Sequence, residues 1–295
     1  MSDTTESLRR KISSAGQLQS VVRTMKALAA SSIGQYERSV DALADYYRAV
    51  ELGLGACLRE SEPPAMVHMR ESVDGRALSA IVFGSDQGLV GQFNDTVTDY
   101  AIKTLAGLST KVRLWAVGER VYARLADAGL QPAGLFGVPN SVQAITPLVG
   151  QIQIEGEAHR AENQNVVLWV FHNRPLSGAV YEPVGQRLLP LDARWRQGLA
   201  KVSWPTKNLP EVMGRGTATP RVLIREYLFI SLFRACAESL ASENASRLAA
   251  MERADKNIND LLEQLQGAFH QLRQSSIDEE LFDVISGFEA LVGSR

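Results

Sequence analysis

The stretch "LRRKISSAGQLQSVVRTMKALAAS", residues 8–31, opens a hydrophobic repeat that continues to residue 57. Its apolar or small residues recur on average every 3.5 residues, the period of a coiled coil rather than the 3.6 of a straight surface helix. Because residues 1–62 contain no proline, the pattern predicts one helix of about 50 residues with an apolar stripe that must be buried. The repeat comprises Leu8, Ile12, Ala15, Leu18, Val22, Met25, Ala29, Ile33, Tyr36, Val40, Leu43, Tyr47, Val50, Leu54 and Cys57.

The end of the chain has a matching pattern. Neither glycine nor proline occurs between Arg221 and Gln266, apolar residues recur at helical spacing, and Pro220 suits a helix start. Since neither terminal helix has a long partner nearby in sequence, we expect the two to pair antiparallel. The predicted domains are a coiled-coil shaft of residues 1–60 and 210–295, an α/β globular domain of residues 75–192, and a loop of residues 193–209.

The middle of the chain alternates between strand and helix patterns. This alternation predicts a mostly parallel sheet with helices on its faces. The last two strands lie close in sequence and are expected to pair as a hairpin. The fold class is therefore α/β, an antiparallel coiled coil of the terminal helices with an inserted Rossmann-like domain. The predicted strands are 77–86, 111–118, 165–174 and 177–191, the helices are 94–106, 119–129 and 141–155, and residues 192–220 are expected to form a loop.

Composition excludes several classes of protein. A hydrophobic content of 45% over 295 residues allows a packed core, and a net charge of −2 gives no whole-chain attraction to nucleic acid. Cys57 and Cys236 lie far apart in apolar helical contexts, which indicates buried, reduced thiols. The N-terminus has no apolar signal core, and no apolar run approaches the ~18 residues of a membrane span. We expect a soluble protein that meets a membrane only through partners.

The segment "SDQGLVGQFN", Ser85–Asn94, follows a strand and precedes a helix, as a phosphate-binding loop does. Its composition differs, because no lysine follows the second glycine and no third glycine completes a dinucleotide motif. We interpret it as a tight turn in which Gly88 and Gly91 are structural and Asn94 or Asp95 caps the next helix. A nucleotide site is the alternative.

Catalytic and metal-binding patterns are missing from the sequence. The four histidines are scattered, without a pair at metal-ligand spacing, so we expect no catalytic residue, no cofactor and no metal. His172 and Asn173 end a predicted strand, where α/β enzymes often place a site, but this is weak support by itself. The histidines are His68, His159, His172 and His270.

Taken together, these segments resemble the gamma subunit of F-type ATP synthases. "SDQGLVGQFN" is similar to that family's S-D-x-G-L-x-G-x-x-N turn, and residues 9–31 resemble its first helix. "RLLPL" (187–191) followed by "SW" (203–204) resembles its approach to the last helix. The similarity is most specific in the last 60 residues, "LASENASRLAAMERADKNINDLLEQL" (240–265) and "RQSSIDEELFDVISGFEAL" (273–291).

Several positions depart from the family pattern. Gln87 and Val90 replace the basic residue and the cysteine that are common in the turn, and Asp278 stands where threonine is usual. Residues 30–34, "ASSIG", replace a more basic segment, and Lys26 follows Met25. Residues 205–213, "PTKNLPEVM", replace an acidic, tyrosine-containing loop. These departures suggest a divergent subclass, the alternative, sodium-linked synthase.

The resemblance implies a non-catalytic rotor shaft. In the family, the helix pair runs through a hexamer of alternating alpha and beta subunits, and the globular lobe binds the epsilon subunit and the membrane c-ring. The expected location is peripheral, on the cytoplasmic face of a bacterial inner membrane. Carried over by position, the residues implied to contact partners or to couple rotation to catalysis are Arg23, Met25, Lys26, Arg247, Gln274, Asp278 and Glu280.

Charge along the two helices has opposite sign. Ser7 to Tyr36 contains five basic residues and no acid, whereas Gln274 to Ser294 contains five acids and no base. An antiparallel pair is expected to bring parts of these segments together and to expose other charges to surrounding subunits. The competing interpretations are a coiled-coil scaffold unrelated to energy conversion and a nucleotide-binding α/β enzyme.

Overall fold

The computed structural model describes residues 4–60, 77–108, 112–163, 166–176, 180–191, 193–208, 210–211 and 218–292. The helices are α1 (Thr5–Ala42), α2 (Ala44–Glu60), α3 (Phe93–Ala106), α4 (Glu119–Asp127), α5 (Val142–Glu162), α6 (Ala193–Lys201) and α7 (Ala218–Val292). The strands are β1 (Leu78–Phe83), β2 (Val112–Val117), β3 (Gly134–Phe136), β4 (Val167–Pro175) and β5 (Tyr181–Leu189). This combination of long terminal helices and a central sheet confirms the predicted fold class.

Backbone contacts divide the chain into two compact units. We call Met1–Leu28 with Leu248–Arg295 the helix-pair unit, and Ala29–Arg247 the lobe. This division falls inside α1 and α7 rather than in a linker. The predicted boundaries at residues 60, 75, 192 and 210 stay a proposal about folding units.

Burial along α1 follows a heptad. The buried side chains recur every seven residues, namely Leu8, Ala15, Val22, Ala29 and Tyr36. This spacing confirms the predicted coiled-coil period, since a strict seven-residue repeat keeps one seam facing a partner helix. Within the helix-pair unit, Val22 packs with Met251 and Ile258 of α7.

The prediction of one continuous N-terminal helix is wrong at Leu43, which separates α1 from α2. The amide of Leu43 donates to the carbonyl of Val40 at 3.2 Å, so the chain makes a tighter i−3 bond at this point. Leu43 still packs against the lobe core. The hydrophobic repeat therefore continues through a break that no proline or glycine marks.

The lobe contains a five-stranded sheet in the order β3-β2-β1-β4-β5. The central strand β1 is parallel to β2 and β4, and all six of its residues are buried. Burial on both faces explains why its sequence is an almost continuous apolar run. β4 and β5 pair antiparallel, which confirms the predicted hairpin.

Each face of the sheet has its own hydrophobic core. One core joins the sheet to α3 and α4 through residues such as Val97, Ala101, Val121 and Leu125. The other joins it to α5 and to the part of α7 that includes Tyr227, Leu232 and Ala241. Cys57 and Cys236 are buried and unbridged, as predicted.

Two elements differ from the sequence prediction. β3 has only three residues, too few for a recognisable period. The expected loop of residues 193–209 contains α6, so that prediction is wrong. Trp195 and Leu199 lie four apart on this helix, and Trp195 packs against Tyr227 with ring centroids 4.7 Å apart. A helix as short as nine residues has a weak sequence signal.

Candidate functional site: the glycine turn and the exposed faces of the helix pair

The turn of residues 85–92 lies where α/β enzymes usually bind ligands. It follows the carboxyl end of β1, between neighbours β2 and β4 whose connections run to opposite sides of the sheet. An enzyme would leave this crevice open to a substrate. The contacts of the turn therefore decide between a nucleotide site and a structural element.

Asp86 occupies the position that an anionic ligand would take. Its Oδ1 accepts a hydrogen bond from the backbone N–H of Glu119 at 3.0 Å, at the start of α4. Its Oδ2 accepts one from the N–H of Val138 at 2.9 Å. A helix N-terminus favours negative charge, and here the chain's own carboxylate supplies it. This arrangement favours a structural turn.

The predicted helix cap in this segment is wrong. α3 begins at Phe93 without a side-chain cap. Asn94 instead points back to Ser85, accepting from its N–H at 2.9 Å and donating to its Oγ at 2.8 Å. Asp95 pairs with Arg124 at 3.0 Å. The amide of Asn94 closes the turn onto β1, and this long-range contact replaces capping.

Gly91 has a φ of +58°, a conformation that L side chains rarely adopt. The carbonyl of the preceding Val90 accepts a hydrogen bond from Ser246 Oγ on α7 at 2.5 Å. The backbone of Gly91 thus allows the turn to meet a buried serine. Gly88 lies next to Arg120, with 3.7 Å between the guanidinium and the position of an added Cβ. The structural role of the two glycines stays a prediction.

His172 and Asn173 are buried within β4 and contact the chain itself. Asn173 Nδ2 donates to the carbonyl of Phe93 at 2.8 Å, and its own carbonyl accepts from Ser242 Oγ at 3.0 Å. His172 Nε2 lies 2.8 Å from a carboxylate oxygen of Glu238. The sequence analysis did not identify Ser242 and Ser246 as contacts of this region. Their spacing of four residues, which places them on one face of α7, was the available signal.

The other two described histidines, His159 and His270, do not form a site either. His159 is buried, with Nδ1 2.6 Å from Ser79 Oγ. Burial, together with the charge of Arg113, lowers its pKa, so the neutral ring is favoured. His270 contacts Phe269 with ring centroids 5.9 Å apart, and His68 lies outside the described residues. No cluster of three or more metal-ligating side chains occurs in the described part of the chain.

The helix-pair unit brings Arg23 and Lys26 to acidic residues of α7. Arg23 Nε lies 3.4 Å from Asp255 Oδ1, and Lys26 Nζ lies 3.9 Å from Glu252 Oε1. Met25, between them, is half-buried against the Val22 seam. These three predicted residues therefore form one patch with a partly exposed surface.

The expected proximity of the basic and acidic segments is found at one place, where Glu280 of the acidic segment lines a pocket together with Arg9 of α1. Arg23 pairs with Asp255, Lys26 with Glu252, and the Arg9 guanidinium lies over the Phe269 ring. In each pair the two residue numbers add up to 278. At this register residues from about 274 onward face the first turn of α1 or positions before it, and Ile277 and Glu280 line one pocket with the start of α1.

The final turns of α7 carry exposed apolar side chains among those acids. A single helix that displays such residues leaves apolar area in water, where burial would release about 25 cal/mol per Å². The predicted residues Gln274, Asp278 and Glu280 are exposed on the same segment, and Gln274 donates to Asp278 at 3.1 Å. The apolar side chains, between 45% and 69% exposed, are Ile277, Leu281, Phe282, Val284 and Ile285.

A second apolar stripe lies on α1. Leu18, Val21 and Leu28 are between 55% and 63% exposed, and with Met25 they follow helical spacing along one face. Leu18 was expected in the buried stripe, and its exposure makes that part of the prediction wrong, whereas Met25 packs against the Val22 cluster as expected. This stripe and the Arg23–Lys26 patch share the same helix.

Arg247 differs from the other predicted contact residues. Its guanidinium pairs with Glu243 at 2.6 Å, and the two side chains are only 13% and 7% exposed. Burial raises the pKa of Glu243, because desolvation outweighs the attraction of Arg247. In the described structure Arg247 belongs to the lobe interior rather than to an open surface.

The model of a protein family described as ATP synthase matches residues 4–291. The chain belongs to the ATP synthase family. Among curated relatives, the ATP synthase gamma chain of Dechloromonas aromatica (strain RCB) is 26% identical over 294 residues, with 96% of this chain and 98% of the relative covered. The ATP synthase gamma chain of Ralstonia nicotianae is 27% identical over 297 residues, with 97% and 99% covered.

Solved structures agree on the fold. A chain in the rotor of Euglena gracilis mitochondrial ATP synthase, rotational state 1, matches with a TM-score of 0.58 at 16% identity, covering 92% of this chain and 98% of that one. A chain of the OSCP/F1/c-ring structure of the same enzyme matches with a TM-score of 0.61 at 15% identity, covering 99% and 96%. The predicted resemblance to F-type gamma subunits is confirmed.

Proposed function

We propose that this chain is the central rotor shaft of an F-type ATP synthase. It would couple ion-driven rotation of the membrane ring to ATP synthesis or hydrolysis in a hexamer of alpha and beta subunits. The observation that carries this proposal is the end of α7, where exposed apolar side chains extend past the register of α1. Such a surface requires surrounding protein.

The proposed role needs no chemistry from this chain. Rotation changes which face of the shaft each beta subunit meets, and each orientation must favour one nucleotide-binding state over another. The crevice at the end of β1 is occupied by Asp86, Asn94 and the serines of α7. These contacts support a non-catalytic subunit over a doubly wound enzyme.

Two groups of residues are the proposed contacts with the hexamer. Arg23, Met25 and Lys26 would form the first group on α1. Gln274, Asp278 and Glu280 would form the second group near the end of α7. A charged pair at such a contact contributes several kcal/mol only where it is desolvated, and about 0–1 kcal/mol where it remains exposed.

The seventh proposed contact is Arg247, which is paired inside the lobe. It could reach a partner only by giving up its bond to Glu243. Breaking such a buried pair is costly, because a charge is left without compensation.

The other partners follow from the family. We propose that the lobe contacts an epsilon subunit and the membrane c-ring, which would place the chain peripherally on the cytoplasmic face of a bacterial inner membrane. No helix among the described residues is long and apolar enough to cross a bilayer. Curated gamma-chain relatives from bacteria support the bacterial source.

The divergent positions support a finer proposal, membership of the alternative, sodium-linked subclass. Gln87, Val90, Lys26 and Asp278 depart from the usual pattern. Since ion ligands reside in other subunits, the test is ATP-driven uptake by vesicles that contain the native complex. Uptake that requires Na⁺ would support the subclass, and uptake that is unchanged without Na⁺ would contradict it.

Purification of the tagged full chain from its native host tests the rotor proposal directly. Co-purification of a hexameric ATPase and a membrane ring, in fixed proportion, is expected. A chain that purifies with neither would instead favour an unrelated scaffold.

Met25→Lys tests the coupling role. The added charge at a sliding contact should lower the ratio of ion pumping to ATP hydrolysis by about fivefold or more, since coupling free energies are typically 1–3 kcal/mol. Met25→Leu, which keeps an apolar side chain there, is the matched control and should couple normally. Equal loss of pumping and hydrolysis in Met25→Lys would count against a coupling role.

A further inference from the structure

A polar pocket opens on the face of the β4–β5 hairpin that packs against α7, inside the lobe. Its volume is about 330 Å³, within the size range of small-molecule sites. Four elements contribute to its wall, which are α2, β4, β5 and α7. The charged and polar side chains that the argument uses are His172, Arg174, Gln186, Ser231, Arg234 and Glu238.

The strand and helix periods explain why these side chains converge. His172 and Arg174 lie two apart on β4, and His172 is opposite Val184 on β5, so all three point to one face of the sheet. On α7, Ser231, Arg234 and Glu238 follow at steps of three and four, which places them on one helix face. Regular strands and helices therefore hold the wall, rather than surface loops.

Glu238 lies at the buried side of the pocket and is already satisfied. One carboxylate oxygen is 2.8 Å from His172 Nε2, and the other accepts from Arg234 Nε at 2.7 Å. Burial favours the neutral acid, but these hydrogen bonds outweigh it and hold the pKa of Glu238 below its ordinary value. Glu238, the one carboxylate among the described residues of the wall, thus has no free oxygen for a cation.

Hydrogen-bond donors, by contrast, are in excess. A guanidinium carries five N–H groups, and Arg234 uses only its Nε–H among the described contacts. Arg174 donates from Nε and Nη2 to the same oxygen of Glu182, outside the pocket wall, which leaves its Nη1 directed elsewhere. The two arginine side chains are about half exposed, so a ligand could reach them from solvent.

We propose that this pocket binds a small oxyanion of the phosphate class, with Arg174 and Arg234 on either side of it. Planar guanidinium groups match phosphate oxygens in pairs, which gives orientation as well as charge. The Gln186 amide, which also hydrogen-bonds to Tyr227, carries two N–H groups and can supply a neutral donor. The site is separate from the proposed contacts with the hexamer and does not depend on the rotor function.

Titration of the full chain with inorganic phosphate, followed by calorimetry at constant ionic strength, tests the site. We expect saturable binding of phosphate and of sulfate, and none of chloride. Adenosine monophosphate distinguishes the source of the phosphate group, because tighter binding than phosphate would indicate a phosphorylated small molecule and weaker binding the free ion. Binding of phosphate no stronger than that of chloride would overturn the proposal.

Arg234→Gln should weaken phosphate binding at least tenfold. Arg225→Gln is the matched control, since Arg225 lies on the same helix, pairs with Glu157 at 3.4 Å and is outside this pocket. The control should bind phosphate like the unaltered chain. Equal affinities of the two variants would contradict a role for Arg234.

Glu182→Gln should act in the opposite direction. Removing this half-exposed carboxylate frees Arg174 and takes away a competing anion, so phosphate should bind several-fold more tightly. A variant that merely disturbed the fold would not gain affinity. Weaker binding by Glu182→Gln would overturn the assignment of Arg174.

Discussion

The helix-pair unit and the lobe use the same long helix in opposite ways. In the lobe, α7 is buried along most of its surface, from Tyr227 to Ala245, including Glu238 and Glu243. In the helix-pair unit, the same helix buries only a seam that contains Met251 and Ile258. One part of the helix is a core element, and the other has most of its surface available to other proteins.

This difference teaches how a single helix can serve two purposes. Burial in the lobe is complete enough to include ionisable groups, which need internal partners. The seam of the helix-pair unit supplies only one row of contacts, so the stability of this unit in isolation is modest. Its exposed faces carry both polar and apolar side chains. Five substitutions test this contrast.

Phe171→Ala should have the largest effect. Phe171 is fully buried in the sheet, stacked on Trp169 with ring centroids 5.8 Å apart. Losing the ring should cost about 3–5 kcal/mol of unfolding free energy. Urea denaturation followed by tryptophan fluorescence measures it, because all four tryptophans lie in the lobe, between residues 115 and 204. An unchanged fluorescence midpoint would mean that packing around Phe171 does not determine the stability of the lobe.

Met251→Ala should have a smaller and separate effect, about 2 kcal/mol, at the low end for a buried methionine. Although Met251 is only 2% exposed, two helices can move closer to fill part of the space. Circular dichroism at the helical band should show a transition at lower urea concentration, with the fluorescence midpoint unchanged. If both signals shifted together by the same amount, the two units would be one cooperative structure.

Glu238→Gln should alter the response of the lobe to acid. Because the folded pKa of Glu238 is lowered, its contribution to stability is present above the ordinary value of 4.5 and is lost as pH falls through the folded pKa. The variant should therefore lose less stability below pH 4.5 than the unaltered chain. The measurement is the urea midpoint between pH 7 and pH 3.

Glu243→Gln provides the comparison of opposite sign. Its folded pKa is raised, so its contribution is complete below 4.5 and is lost as pH rises through the folded pKa. The Glu243→Gln variant should therefore lose less stability than the unaltered chain as pH rises above 4.5. It should also be less stable at every pH, because Arg247 loses its charged partner. Identical pH profiles for the two variants would refute both assignments.

Arg23→Gln should have the smallest effect on stability, below about 1 kcal/mol. Arg23 is 59% exposed and pairs with Asp255 at 3.4 Å, so water and salt screen the interaction. The urea midpoint by circular dichroism should hardly move, and high salt should remove the remaining difference. A loss above 2 kcal/mol would show that this ion pair is a structural support of the seam.

The sequence predicted the features that depend on period and composition. The heptad of Leu8, Ala15 and Val22 needs only one helix facing another, and the apolar run of β1 needs only burial on both faces. The break at Leu43 and the short helix α6 were not predictable in this way. Leu43 packs against the lobe core and α6 against Tyr227 of α7, and local propensity does not contain such long-range contacts.

For the candidate site, the sequence alone determined residue types and their likeness to a known family, including the glycine turn and the patch of Arg23, Met25 and Lys26. The helix register, by contrast, comes from the tertiary structure, and it places Ile277 and Glu280 of α7 in one pocket with the first turn of α1. It also placed Arg247 inside the lobe and directed Asn94 to Ser85. The physical reason is that a period specifies which face of an element is buried, whereas the alignment of two elements depends on side chains far apart in the chain.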